Sequence, residues 1–100
     1  MTRENKVKWS RQRNEAHKLA AINVLTNGEG TCRCCGQGDI DVLTIDHIND
    51  DGAKHRQEHP SSGRIYNWLV SQEYPPGFQV LCMNCNVKKE VLRRRARYLV

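Results

Sequence analysis

Long hydrophobic runs are missing from this 100-residue sequence, and aromatic side chains are scarce: 6% are Phe, Trp or Tyr, and there is a single Phe. No stretch is apolar enough to span a bilayer, and the N-terminus carries no signal-peptide pattern, so no membrane span is expected and the cytoplasm is the expected compartment. Hydrophobic residues make up 38% of the chain. A single domain this short buries a modest share of its surface, and a thin core of that kind needs a staple. Acidic residues are also in short supply, 11 against 16 Lys and Arg, which leaves a formal charge of +5 and a pI near 9.1. That balance favours a polyanionic partner, nucleic acid first and an acidic lipid surface second.

Cysteine, by contrast, is plentiful, with five in the chain. In a reducing cytoplasm, paired Cys-x-x-Cys segments read as metal knuckles and not as disulfides. Thr31-Cys32-Arg33-Cys34-Cys35-Gly36 and Leu81-Cys82-Met83-Asn84-Cys85-Asn86 supply two such pairs. The expected ligands are Cys32, Cys35, Cys82 and Cys85 around one structural zinc, with Cys34 left over. Cys34 competes for the first knuckle, but Cys32-x-Cys34 is a poorer spacing, and Gly36 suits the turn after Cys35. Zinc binding would supply folding free energy that the small core lacks.

Around the knuckles the pattern predicts an α+β domain. Residues 3–25 read as a basic helix, with Trp9, Ala16, Leu19, Ala20 and Val24 at helical intervals and Asn27-Gly28 as its stop. Residues 1–28 form this helical arm, and 30–98 form the core of the same single domain. Asp41 to Ile48 alternates as a strand with Leu43 and Ile45 facing in and Asp46-His47 near its end. Asp50-Asp51-Gly52 makes a turn, and Asn49 to Pro60 reads as a charged loop whose histidines include His55 and His59. Ser61-Ser62 caps a helix running from Arg64 through Val70, with Ile65, Trp68 and Leu69 as its apolar stripe. Tyr74-Pro75-Pro76-Gly77 turns the chain into a second strand, Phe78 to Leu81. From Asn86 to Tyr98 a second basic helix is expected, with Val87, Val91, Leu92 and Tyr98 toward the core. Its cations, with Lys88, Lys89, Arg93 and Arg94 foremost and Arg64 added from the middle helix, are the expected phosphate contacts.

Closing the two knuckles on zinc brings Asp46, His47 and Asn86 together. Asp46 and the Asn86 amide oxygen are hard ligands suited to one Mg²⁺ or Mn²⁺, which keeps waters and substrate phosphate as its other ligands. His47 beside them can take a proton from water. Each residue alone has a blander reading: Asp-His as a surface pair, Asn86 as a helix N-cap.

Cys32-x-x-Cys35-Gly36, Asp46-His47 and Leu81-Cys82-x-x-Cys85-Asn86 with Lys89 resemble the HNH (ββα-metal) nucleases, in particular the small phage-type and endonuclease VII-like members with a four-cysteine zinc site. The resemblance spans residues 30–90. It implies a ββα-metal domain with a helix inserted between its strands and a catalytic helix starting at Asn86, which enters the minor-groove side of a duplex. It implies DNA hydrolysis with His47 as general base, Asp46 and Asn86 on the catalytic ion, a structural zinc, and a phage-encoded enzyme. His55-Arg56 also follows the Asp-His pair much as in the phage-type relatives, making His55 a secondary candidate. The pattern departs near Gly77, where many members carry an asparagine that pins the loop of the catalytic histidine; Asn49 or the Asp50-Asp51 turn could steady that loop here. A homodimer would allow double-strand cutting. The rival readings are a zinc-stapled nucleic-acid-binding module without catalysis and, more weakly, a redox or metal-storage protein.

Overall fold

The computed structural model describes residues 2–59 and 64–99, and the Ser61-Ser62 cap expected above lies outside them. Among the described residues the order is α1 (Arg3–Leu25), a 3-10 turn (Ile40–Val42), β1 (Leu43–His47), α2 (Gly52–Glu58), α3 (Ile65–Ser71), β2 (Phe78–Cys82) and α4 (Met83–Leu99). The two strands pair antiparallel, from Leu43 opposite Cys82 to His47 opposite Phe78. The described residues thus form a small α+β fold of four helices on one two-stranded sheet. Among the described residues no helix is long and apolar enough to cross a membrane.

A two-stranded sheet is not stable alone, so its apolar side chains must be covered. Leu43, Val80, Leu81 and Cys82 form the core with Cys32 from the first knuckle and Ile22 from α1, and Ile40, Val42 and Ile45 pack against it. Leu69 of α3 is also fully buried. α1 begins at Thr2, whose hydroxyl accepts from the Asn5 amide. It ends where Asn27 and Gly28 turn left-handed, with φ of 54° and 86°. That end matches the expected stop.

The inward face of α1 differs from expectation. Trp9, Leu19 and Val24 are exposed, whereas Ala21 and Ile22 are buried. Polar groups on the inner face explain the mismatch. Asn67 of α3 donates through Nδ2 to Asn14 Oδ1 (2.8 Å) and accepts from His17 Nδ1 (2.6 Å). Because Asn67 Oδ1 can only accept, His17 carries its proton on Nδ1. Hydrophobic periodicity is blind to a helix contact built from amides and an imidazole.

Three further expectations need correction. Residues 52–58 form helix α2 and not a loop; its anchor is the His55 ring, 4.3 Å edge-on to Trp68, so no aliphatic stripe announces it. Two helices therefore stand between the strands, where one was expected. α4 starts at Met83, directly after β2, so Asn86 lies within the helix and is not its cap. Its expected core residues face outward, Val87 at 63% exposure and Tyr98 at 89%, with Val91 and Leu92 exposed too. The partly buried positions of α4 are Cys85, Asn86, Lys89, Glu90 and Arg93. Its inner face is polar.

Candidate metal centre and adjoining cleft

The first knuckle is a turn on the sheet edge. Cys32 N donates to Gln37 O (2.8 Å), Gly36 N donates to Cys32 O (2.9 Å), and Arg33 N donates to Val80 O (2.9 Å), docking the turn on β2. Gly36 takes a φ of 80°, which a side chain would resist. The second knuckle is the β2–α4 junction: Cys82 ends the strand, and Cys85 N donates to Cys82 Sγ at 3.5 Å.

The four sulfurs of Cys32, Cys35, Cys82 and Cys85 all lie within 4.8 Å of one another, and Cys35 and Cys82 approach to 3.6 Å. A tetrahedral zinc with bonds of about 2.3 Å requires sulfur–sulfur edges of about 3.8 Å. The cluster therefore fits such an ion. Burial opposes ionisation of Cys32, but amides of Cys35, Cys82 and Cys34 outweigh it and hold the thiol down at about 6. Hydrogen bonding to Cys82 and then Cys35 pushes Cys85 up instead. Four thiols this close cannot all ionise without a positive charge between them. The fifth cysteine, Cys34, is exposed and stands outside the set.

Next to the cluster, β1, α2 and α4 enclose a cleft of about 430 Å³ lined by Asp46, His47, Asn86, Arg56, Arg93 and Arg97, among others. The fold thus brings Asp46, His47 and Asn86 to one concavity. Asn86 Nδ2 donates to Thr44 Oγ1 (2.9 Å), whose hydroxyl donates to Leu81 O (2.7 Å). Since that hydroxyl spends its proton on Leu81, its oxygen must accept, which fixes the Asn86 amide with its nitrogen toward β1. Asn86 Oδ1 has no hydrogen-bond partner among the described residues.

Asp46 is buried and its Oδ2 is doubly engaged, accepting from Gln79 Nε2 (2.8 Å) and from Lys89 Nζ (2.7 Å). Gln79 sits directly opposite Asp46 in the ladder. Lys89 also reaches Asp50 Oδ1 (3.0 Å), His47 O (2.8 Å) and Ile48 O (3.2 Å). Burial alone would weaken the Lys89 charge, but the bonds to Asp46 and Asp50 prevail and raise its pKa. Lys89, expected on phosphate, is committed inside the protein.

His47 forms the wall between this cleft and a smaller aromatic one of about 200 Å³. Its ring lies 4.9 Å from Phe78 and 5.2 Å from His55. Burial, and then the neighbouring His55, lower the His47 pKa below the usual imidazole value. Burial, and then His59, do the same for His55. The Nε2 atoms of both rings are buried without a hydrogen-bond partner. Gly52 lets α2 approach: a Cβ there would stand 3.4 Å from both His47 Nδ1 and Arg56 Nη1.

No protein-family model, curated protein or solved structure matches the chain.

The other predicted phosphate contacts are scattered. Arg93 grips Glu90 with two nitrogens (2.9 and 2.6 Å) and Arg94 adds a third bond to it (3.0 Å). Lys88 borders a separate groove with Arg33, Leu81 and Leu92. Arg64 lies in a cleft against α1 with Arg11, Lys18 and Tyr66. Arg97, counted in the sequence only among the cations of the last helix, lines the cleft, while Arg56, Gln79 and Thr44 escaped the sequence reading as site residues. Arg56 was hidden because its segment looked like a loop, and Gln79 because only strand register puts it opposite Asp46.

Proposed function

We propose that this chain is a divalent-metal-dependent DNA endonuclease of the HNH (ββα-metal) kind, with a structural zinc on Cys32, Cys35, Cys82 and Cys85. The observation that carries the reading is the convergence of Asp46, His47 and Asn86 on one arginine-lined cleft beside the four-cysteine cluster. No one of these features suffices, but hydrolysis of a phosphodiester needs a base, hard oxygen ligands and cations for the phosphate together.

The roles follow from the environments. His47, with its pKa lowered, favours the neutral form at pH 7, and because its Nε2 is buried, Nδ1 is the atom left to accept a proton from a water in the cleft. Asp46 and Asn86 Oδ1 would hold a Mg²⁺ or Mn²⁺, which when bound offsets charge on the phosphate and on the leaving oxygen. Arg56 and Arg97 line the same cleft and supply guanidinium forks for the scissile strand. Arg93 joins them when phosphate displaces Glu90 from its fork. A homodimer, or two visits, would convert a nick to a double-strand break.

One observation favours the second reading, a zinc-stapled DNA-binding module without catalysis: Asp46 Oδ2 is already satisfied by Lys89 and Gln79. His47→Ala separates the two. Turnover on duplex DNA with Mg²⁺ should fall by roughly 10²–10⁴-fold while DNA affinity holds, since general bases contribute about that much. A loss below about tenfold would remove His47 from the chemistry.

A further inference from the structure

β1 must end at His47 with its backbone fixed, because that residue and Asp46 both face the cleft. Two features of the fold make this hard. Among the described residues the sheet has two strands, and β1 pairs along one edge. On the paired side the last tie beyond the ladder is Ile48 N donating to Gly77 O (3.0 Å), and Gly77 has no side chain with which to hold anything more. Past that point the chain reverses through Asp50, whose φ is 56° and whose amide donates to His47 O at 3.0 Å. Aspartate tolerates this left-handed conformation, but one backbone bond closes the turn and leaves the Ile48 carbonyl and the Asp50 carboxylate open to a side chain from elsewhere.

Lys89 provides it. Its ammonium touches four oxygens drawn from residues 46, 47, 48 and 50: Asp46 Oδ2, His47 O, Ile48 O and Asp50 Oδ1, at 2.7 to 3.2 Å. Three N–H donors shared over two carboxylates and two carbonyls leave the ammonium nothing to offer DNA. Lys89 lies one helical turn beyond Cys85 and Asn86 on the same face of α4, so the cysteine cluster that sets the helix also sets the ammonium.

We propose that Lys89 is the positioning residue that seats the catalytic end of β1, fixing the Asp46 carboxylate and the His47 backbone at once, and is not a phosphate contact. This rests on the nuclease reading for its catalytic consequence, but the seating itself does not. With Oδ2 held by Lys89 and Gln79, Asp46 presents its other oxygen, Oδ1, which has no hydrogen-bond partner among the described residues. Of the two groups the sequence offers to steady the turn after β1, Asn49 or Asp50-Asp51, it is Asp50 that is engaged, by Lys89 from α4. A point charge is required here. An arginine fork cannot converge on four oxygens around one point, so Lys89→Arg should behave like a loss of function and not as a conservative change.

The test compares the parent with Lys89→Met, which keeps the apolar stem, and Asp50→Asn, which removes one ionic partner only. By amide hydrogen exchange, Asp50 N–H should exchange at least about tenfold faster in Lys89→Met, while Val80 and Leu81 in the core stay protected. Unchanged exchange at Asp50 overturns the seating, whether or not the parent cuts DNA. Exchange that accelerates at Val80 and Leu81 as well makes Lys89 a general stabiliser and overturns it too. In cleavage assays kcat should fall roughly 30-fold or more in Lys89→Met and several-fold in Asp50→Asn, with a higher Mg²⁺ requirement and unaltered DNA affinity. A weaker DNA affinity with a salt slope reduced by about one unit would instead make Lys89 a phosphate contact. A parent that fails to cut sinks the nuclease reading and leaves the exchange result to decide Lys89.

Discussion

α1 and α4 are both long, basic helices, yet they are held in opposite ways. α1 is tied to the rest by Ala21 and Ile22 in the core and by the Asn14–Asn67–His17 hydrogen bonds, and its Trp9 lies exposed under the Arg13 guanidinium at 4.9 Å. α4 turns its aliphatic side chains to solvent and faces the sheet with Cys85, Asn86, Lys89 and Arg93. Its position is set by sulfur and by charge. A helix packed by apolar contacts can slide a little without consequence; one anchored through its first turn presents Asn86 and Lys89 at fixed places. Basic character alone therefore does not mark a site, and the anchored helix is the one that carries it.

The largest break in this comparison is Cys82→Ser. The melting temperature should drop by more than about 15 °C, or the cooperative transition should vanish, because structural zinc contributes on the order of 10 kcal/mol in such sites. A strong chelator should do the same to the parent. An unchanged melting curve would contradict the structural-metal claim. The α1 side should respond far less. Asn67→Ala strands His17 Nδ1 and the Asn14 amide, and should cost about 1–3 kcal/mol in urea unfolding while leaving DNA cleavage intact. Loss of cleavage there would mean α1 takes part in the site.

Legibility followed the same divide. The cysteine pairs, the β1 and β2 strands and the span of α1 could be read from spacing, since metal knuckles and strand alternation are local patterns. Asp46, His47 and Asn86 were likewise placed on the correct strand end and helix. The faces of the helices were not legible. α1 packs amides against α3 and α4 partly buries a lysine and an arginine, and neither shows in a hydrophobic period. α2 escaped because its one anchor is an imidazole against Trp68 and Phe78. Gln79 and Lys89 acquire their roles only from register and helix phase, which depend on the knuckles being closed.

The smallest expected effect is on acid stability. His47 and His55 both have pKa values below the usual 6.5 in the fold, so the unfolded chain takes up protons first as the solution acidifies. Their contribution is complete above about pH 6.5 and drains as pH falls below it toward the folded values. The urea midpoint should decline from pH 7 to pH 5, and His55→Phe should flatten that decline. An equal slope in the variant would show that His55 is not held neutral by its burial.

Supercoiled plasmid incubated with the parent protein and with His47→Ala, each with Mg²⁺ and with chelator, tests the central claim most directly. The account predicts open-circle or linear DNA from the parent with Mg²⁺ alone, the ratio of the two reporting nicking against double-strand cutting. Intact plasmid in every lane, with a salt-sensitive gel shift kept by both proteins, would contradict it and leave a zinc-stapled DNA-binding module.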